Sequence, residues 1–505
     1  MHFLSLFIKS DSDLYLLWYL NMEEKKLHIY NTMSRQKEEF VPLMEEWKKD
    51  FVWIYSCGPT VYWNPHIWNM RAFAFADLLR NIIKNILWYP TKHVMNLTDV
   101  GHLTDDGDEW EDKMEKWAKR ENKTVWELAD MYIEKFYSYL DKLQIDKFDV
   151  MPRATDHIKE QIEMVKILEE KWYTYEIPGD GIYMDTSKIE DYGKLAWLAN
   201  QERIAWARIQ NDNKKNNTDF ALWKFSPKDQ KRQMERDSPW WIWFPGWHLE
   251  CSAMSSKYLW DQFDIHTWWV DHIWVHHTNE IAQSECTFWK RPWVKYWMHN
   301  QFLNLWWKKL SKSAGWLVTV DDLEEKWYSG LDLKLLYYTA HYRNFLDFNE
   351  TVLEQSKVQR KNLIKKISKA EIVDLKWKNY KEIVNELKTE EWIRFLSDCL
   401  DALLDDLNSP KLLSTINSWL KNSTPEIIWI ILWIDKQVLK LDLLWKKEKS
   451  EWNEEIPEEI TQLANQRLQA KQEKNYSLAD ELRNQIQLKW YNIKDIPWWF
   501  EIEKI

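Results

Sequence analysis

Glycine is almost missing from this chain: there are nine among 505 residues, about 2% where roughly 7% is usual. Glycine reaches positive φ without steric penalty, so tight turns and close backbone approaches are left without their usual occupant. Cysteine is scarce too. Four thiols in so long a chain, Cys57, Cys251, Cys286 and Cys399, argue against a disulfide framework and for a reducing compartment with free or metal-binding thiols. The expected location is the cytoplasm. No apolar run reaches membrane length, because the stretches from His2 to Ile8 and from Leu14 to Leu20 are cut off by Lys9, Asp11 and Asp13. Neither a membrane span nor a signal peptide is expected. Positive charge is not in excess either. A formal net charge of -11 gives no global sign of a nucleic-acid partner, so any such surface is expected to be a local basic patch.

Tryptophan moves the other way, with 38 residues, several-fold more than a side chain this large should reach. Some stand where backbone geometry asks for glycine: Trp88 before Tyr-Pro at the end of a helical run, Trp306 and Trp307 in a hairpin-like link, Trp498 and Trp499 after a proline. The expectation is that UGA codons, read as glycine in certain bacterial lineages, have been written here as tryptophan. Residues 1–21 precede Met22, where a more usual opening begins. They are set aside as a doubtful N-terminal extension.

The length exceeds one hydrophobic core, so roughly two to four domains are expected. From Val52 to Tyr55 a strand runs into Ser56-Cys-Gly-Pro-Thr60, Arg71 to Leu87 has helical spacing, and His93 to Leu97 reads as a second strand. This strand–helix–strand alternation predicts a parallel α/β sheet. Residues 110–147 read as helical, 151–238 as a polar insertion, and the apolar strand-like pattern resumes near 244. Beyond Asp347 long amphipathic helices are expected, among them Val352 to Leu387 and Glu391 to Asp406. The stretch from Lys357 to Lys388 holds ten basic against four acidic residues. It suits either a phosphate-facing surface or a solvated helix face.

Three constellations carry chemistry. His66-Ile-Trp-Asn69 opens the helix after the first strand, where free N–H groups and the positive dipole end suit a phosphate. Lys309-Leu-Ser-Lys-Ser313 puts two lysines in a polar loop that could follow charge onto a departing pyrophosphate. Cys57, Cys251, His276 and Glu280 form a plausible zinc set, the last two sharing a face if their segment is helical. Read one at a time, the lysine loop reads as a solvated loop, the metal set as buried cysteines and a surface histidine, and the His66 motif carries little weight.

In order along the chain, these residues resemble the cysteinyl-tRNA synthetases from about Lys26 to the C-terminus. Cys57-Gly-Pro-Thr-Val-Tyr62 and His66-Ile-Trp-Asn69 are similar to the family's opening signature and its HIGH-type motif, with Trp68 in the glycine place and Asn69 in that of the second histidine. Asn96-Leu-Thr-Asp99, Asp219-Phe-Ala-Leu-Trp-Lys224, Phe244-Pro-Gly-Trp-His-Leu-Glu-Cys-Ser-Ala-Met254 and His276-His-Thr-Asn-Glu-Ile-Ala-Gln-Ser284 follow. Lys309 to Ser313 resembles a KMSKS loop with leucine for methionine. Ala402 to Pro410 and Arg467 to Arg483 look like the helical anticodon-binding region. Trp53, Trp68, Trp241, Trp268, Trp269 and Trp490 fall where such proteins carry glycine, whereas Trp126, Trp223, Trp240 and Trp247 fall where they carry tryptophan.

The resemblance implies an α/β class I synthetase fold, a Rossmann-type parallel sheet with an insertion followed by an all-α helical anticodon-binding domain. The implied divisions are 22–150 and 239–305 for the two catalytic halves, 151–238 for the connective insertion, 306–348 for the KMSKS loop and stem-contact region, and 349–505 for the helical domain. It implies cysteine, ATP with Mg2+ and tRNA(Cys) as partners, one Zn2+ per chain on Cys57, Cys251, His276 and Glu280, no membrane, and a monomer. By the same resemblance His66, Asn69, Lys309 and Lys312 are catalytic, and His66, Asn69, Asp271 and Lys312 hold ATP. Thr98, Trp247 and His266 complete the cysteine pocket, and Lys471, Asp480 and Asp495 meet the tRNA. Lysine at 471 replaces the family's usual arginine and lacks its bidentate fork. Two other readings stay open: a ligase joining cysteine to an amino-sugar by the same adenylate chemistry, and a non-catalytic tRNA- or zinc-binding paralogue.

Overall fold

A computed structural model of the chain describes residues 25–47, 50–99, 118, 120–197, 213–225, 239–240, 243–305, 318–368, 390–444, 457–473, 475–489, 491–496 and 499–504. Residues 1–21, Trp241, Trp306, Trp307, the 309–313 loop with Lys309 and Lys312, Trp490 and Trp498 lie outside the described residues. Two units are distinguished, one ending at Leu444 and one made of the residues beyond it.

In the first unit, β1 (His28–Asn31) and β2 (Gln36–Glu39) form a hairpin. β3 (Val52–Ser56), α1 (Ile67–Asn81) and β4 (Thr91–Met95) give the expected strand–helix–strand unit. After α2 (Val125–Lys142) and α3 (Ile158–Glu170) comes an antiparallel sheet of β5 (Thr174–Ile177), β6 (Gly181–Met184), β7 (Phe220–Phe225) and β8 (Trp243–Pro245). Its last strand extends past residue 238, the end expected for the insertion. Then α4 (Trp247–Leu259), β9 (Phe263–Trp269), α5 (His276–Phe288) and β10 (Val294–Asn300) complete a parallel sheet in the order β10-β9-β3-β4.

β3 reads Val-Trp-Ile-Tyr-Ser and is buried at every position, as a parallel strand covered on both faces must be. Its side chains alternate between two cores. Trp53 and Tyr55 pack with Phe73, Phe136 and Trp297; Val52 and Ile54 pack with Ile265, Leu400 and Ile431. The second cluster joins the sheet to the helices that follow. β11 (Leu303–Leu305) and β12 (Leu346–Phe348) pair in parallel around α6 (Gly330–Tyr338), and α7 (Glu350–Ile367), α8 (Glu390–Leu403), α9 (Ser409–Trp419) and α10 (Pro425–Ile434) supply the helical part. Helix α7 ends at Ile367, inside the run that periodicity extended to Leu387.

The second unit contains α11 (Glu458–Gln472), α12 (Tyr476–Leu488) and an antiparallel hairpin of β13 (Tyr491–Ile496) and β14 (Trp499–Lys504) around Ile460, Ala464 and Ile486. The tail is therefore helical only as far as Leu488 and ends in strands, where an all-α domain was expected. The first four residues of β13, Tyr491 to Lys494, alternate apolar and polar, but a run this short is indistinguishable by pattern from a helix end. Among the described residues no helix is long and apolar enough to cross a membrane.

Candidate active site

The chain passes from β3 to β4 on one side and returns to β9 on the other, so strand order reverses between β3 and β9. In open α/β sheets the crevice beyond the carboxyl ends at such a reversal binds ligands. Here the last residue of β3, Ser56, stands opposite Thr267, two residues before the end of β9, with their hydroxyl oxygens 2.6 Å apart. A cavity of about 550 Å3 opens at this point, and Cys57, His66, Asn69, Thr98, Trp247, Cys251, Asp271 and His276 all line it. Gly58 sits against the turn after β4: a Cβ there would come 1.5 Å from the Asn96 carbonyl oxygen. Its N–H donates to Asn96 Oδ1 at 2.8 Å, which fixes the loop that carries Cys57.

Cys57 follows β3, Cys251 lies on α4, and His276 and Glu280 share one face of α5. One ligand atom from each lies within 4.8 Å of all the others, and all four residues are buried. The two sulfurs are 3.9 Å apart; thiolates at about 2.3 Å from a tetrahedral ion stand roughly 3.8 Å from each other. His276 Nε2 is 2.8 Å from Glu280 Oε1 but has no hydrogen-bond partner, so a buried ring nitrogen faces the space between the four donors. Two soft thiols, an imidazole and a carboxylate in that arrangement fit zinc.

Burial opposes every charge in this cluster, yet Cys251, His276 and Glu280 hold each other ionised. His266 and His276 bring the Glu280 carboxyl down to about 2, and Glu280 and Cys251 raise His276 to about 10. A hydrogen bond from the Cys57 thiol, with His276, brings Cys251 down to about 6. Burial and the Cys251 sulfur push the Cys57 thiol up.

Behind this set stands a second polar layer. His266, expected to line the thiol pocket, lies under it instead, fully buried on β9 with Nε2 2.9 Å from Glu280 Oε2. His277 Nε2 is 3.5 Å from Cys57 Sγ, His277 Nδ1 is 2.8 Å from His299 Nε2, and His299 Nδ1 is 2.8 Å from Thr32 Oγ1. Burial keeps His277 and His299 neutral at ordinary pH. If Cys57 is a thiolate the donors can run only one way: Thr32 O–H to His299, His299 Nε2–H to His277, His277 Nε2–H to the sulfur. Sequence reading missed His299 and Thr32, which lie far along the chain in a strand and a hairpin. Only His277, adjacent to His276 in the same motif, offered a signal.

At the start of α1, His66 and Asn69 cap the helix reciprocally: His66 Nδ1 accepts from the Asn69 N–H at 3.4 Å, and Asn69 Oδ1 accepts from the His66 N–H at 3.3 Å. The ring proton of His66 is therefore on Nε2. Burial lowers this histidine to about 4, so it lines the cavity as a neutral donor. Three indoles besides Trp247 share the space. Trp68 stands edge-on to His66 with ring centres 5.2 Å apart and donates from its indole nitrogen to the Leu303 carbonyl; Trp268 and Trp269 also line the cavity, the latter stacked on Phe302 at 5.8 Å. Trp247 lies 4.3 Å from His276, ring centre to ring centre. Thr98 donates to Glu250 Oε2 at 3.2 Å, and Asp271 pairs with the His272 ring at 3.0 Å.

Lys471 is half-buried on α11 and Asp480 exposed on α12, both in the second unit, with Asp495 on β13.

Residues 43–358 match the family model of the class I (C) tRNA synthetase catalytic domain. The chain is 40% identical to the cysteine–tRNA ligase of Treponema denticola over 91% of its own length and 96% of that protein's. It is 37% identical to cysteine–tRNA ligase 1 of Burkholderia lata, over 93% and 95% of the two. Among solved structures, Mycobacterium tuberculosis methionyl-tRNA synthetase in complex with methionyl-adenylate superimposes with a TM-score of 0.54, covering 78% of this chain and 92% of that one at 11% identity, a likeness of fold alone. By domain model and by near-full-length identity, this chain belongs to the cysteine–tRNA ligase family of class I tRNA synthetases.

Proposed function

We propose that the chain activates cysteine with ATP, giving cysteinyl-adenylate and pyrophosphate, and passes the cysteinyl group to tRNA(Cys), with zinc selecting the substrate by its thiolate. The observation that carries this reading is one cavity shared by a sulfur-rich donor set and a capped helix N-terminus. Cys57, Cys251, His276 and Glu280 would hold the ion, and bound there it supplies a soft Lewis acid that prefers a thiolate to serine's hydroxyl. His266 orients Glu280 from behind, and Trp247 and Thr98 bound the thiol pocket. His66 gives its Nε2–H to the phosphates and Asn69 adds its carboxamide, in addition to the positive end of α1. Asp271 would meet the adenosine, with Lys309 and Lys312 neutralising the departing pyrophosphate and Mg2+ accompanying the nucleotide. Lys471, Asp480 and Asp495 would meet the anticodon. The functional divisions are those drawn from the sequence, and the enzyme would act as a cytoplasmic monomer.

The reading includes the codon assignment: the tryptophans at glycine places are glycine in the working enzyme. Six support it by backbone conformation. Trp88, Trp172, Trp197, Trp260, Trp289 and Trp327 have φ between 54 and 71, a region L side chains avoid, and all six are at least half exposed. Trp68, Trp268 and Trp269 support it by position, lining the cavity where a nucleotide is expected. Taken as true tryptophans, the same three would favour the non-catalytic paralogue.

The deciding experiment is cysteine-dependent ATP–pyrophosphate exchange with the chain as written and with glycine at the suspect positions, each assayed for zinc. Exchange with cysteine and not serine, in the glycine form alone, is the expected result. Exchange by the chain as written would overturn the codon assignment. A folded, zinc-loaded glycine form silent in exchange and charging would establish the paralogue.

A further inference from the structure

A second cavity, about 300 Å3, lies on the other side of the same strand ends. Val270, Ile273 and Gln301 line it, while Asp271, His272 and Phe302, their neighbours in sequence, line the first cavity. The segments after β9 and β10 are thus a common wall between the two spaces.

The chemistry of the second cavity differs from that of the first. Arg35 and Arg343 line it and no acidic side chain does, on a chain whose formal charge is -11. Arg343 is steadied by Asp406, which its Nη2 and Nε approach at 2.7 and 2.8 Å, and its guanidinium carbon lies 4.4 Å from the centre of the Tyr30 ring. Arg35 donates to the Ala196 carbonyl at 3.3 Å. Gln301 Oε1 accepts from the Phe302 N–H at 3.1 Å, which leaves its amide hydrogens as donors. Thr32 and His299 also line it and end the hydrogen-bonded chain that starts at Cys57. Two guanidiniums, amide donors and an aromatic face together recognise a phosphate with a base attached. Trp274 also lines the cavity, and the Arg35 guanidinium carbon lies 4.8 Å from the centre of the Trp197 ring; Tyr30, Thr32, His299, Gln301 and Arg343 supply the rest of the polar lining.

We propose that this second cavity is a nucleotide subsite that seats a 3′-terminal nucleotide of the tRNA, its phosphate on Arg35 and Arg343 and its base beside Tyr30. This rests on the charging reading above. An RNA end that reaches the first cavity past the shared wall must leave its adjoining phosphate close to that wall, and this is the cationic side of it. A free nucleotide has the same chemistry, and the experiment separates the two sources.

Arg35→Ala, Arg35→Lys and Gln301→Ala are made in the full chain; Arg343 is left in place because it neutralises buried Asp406. Cysteine-dependent ATP–pyrophosphate exchange, tRNA charging, and binding of intact tRNA and of tRNA trimmed of its 3′-terminal nucleotides are measured. Each alanine variant should lose about tenfold in kcat/KM for charging, the loss expected for one charge-assisted contact. Exchange should stay at the parent level, and weakened binding should be confined to intact tRNA. The lysine variant should recover part of the loss. A raised KM for ATP with slowed exchange would make the cavity a free-nucleotide site and overturn the proposal. So would unchanged charging, or equal weakening of intact and trimmed tRNA. A parent enzyme without exchange would bring down the charging reading itself, a failure seen before any variant is compared.

Discussion

With φ 71 and ψ -175, Trp260 holds a backbone conformation that belongs essentially to glycine. Trp172 and Trp289 follow the ends of α3 and α5 with φ 65 and 57, where left-handed helix caps usually carry glycine. Their indoles are 79% and 72% exposed, so little packing is gained in return for the strain. Replacing either by glycine should therefore stabilise the protein by about 1 kcal/mol. Trp223 and Trp297 are fully buried, and their replacement by glycine should cost at least about 3 kcal/mol. Urea unfolding of the four single variants reads both signs, and a uniform loss would remove the distinction between two classes of tryptophan. Trp88 was legible in the sequence because Tyr-Pro after a helical run marks a turn. Trp172 and Trp289 were not, since no proline stands within two residues of either and the helix ends appear only in three dimensions.

Helix α1 owes its place in the site to its first turn, and the same turn makes it sensitive to acid. Burial brings His66 to about 4 from an ordinary value near 6.5, so the folded state favours the neutral ring. Its contribution to stability is complete above about pH 6.5 and is lost as pH falls toward 4, because the unfolded chain takes up the proton first. His93, buried on β4 against Ser56 at 2.8 Å, is displaced in the same direction by burial and by Arg80, and steepens the same limb. Unfolding free energies measured between pH 7 and 4 should fall, and His66→Asn, which keeps an N-cap acceptor without a titrating ring, should flatten part of that fall. The same variant should slow cysteine-dependent exchange about a hundredfold if the Nε2–H serves the phosphates; an unaltered exchange rate would confine His66 to capping. The pair was legible in sequence because both partners lie within one helical turn. The chain from Cys57 to Thr32 was not, because it joins a loop, a helix, a strand and a hairpin, and no periodicity in one segment marks a hydrogen bond to another.

At the scale of the molecule, the change of sequence pattern near Asp347 marks a change of element type, while the packing boundary lies at Leu444. Helices α8 and α10 share a hydrophobic cluster with Val52, Ile54 and Ile265 of the parallel sheet, a contact that helical periodicity cannot reveal because it shows which face is apolar and not what covers it. Asp77 on α1 reinforces the join: Arg80 lies 2.6 Å away, Lys334 of α6 3.5 Å and Lys440 3.7 Å. Among the described residues, all those that line the first cavity belong to the first unit, whereas the second has a small core of its own. A chain ending at Leu444 should fold with a thermal midpoint near that of the full protein and retain cysteine-dependent exchange within about threefold, since the elements that position the site are untouched. Charging of tRNA(Cys) should fall by about tenfold or more, as Lys471, Asp480 and Asp495 leave with the second unit and each lost base or phosphate contact costs roughly 1–3 kcal/mol. Exchange and charging assayed on the same preparation separate the outcomes. If both persist, the anticodon contacts are not in the second unit. If both vanish from a folded protein, residues beyond Leu444 support the catalytic cavity in a way that its own packing does not require.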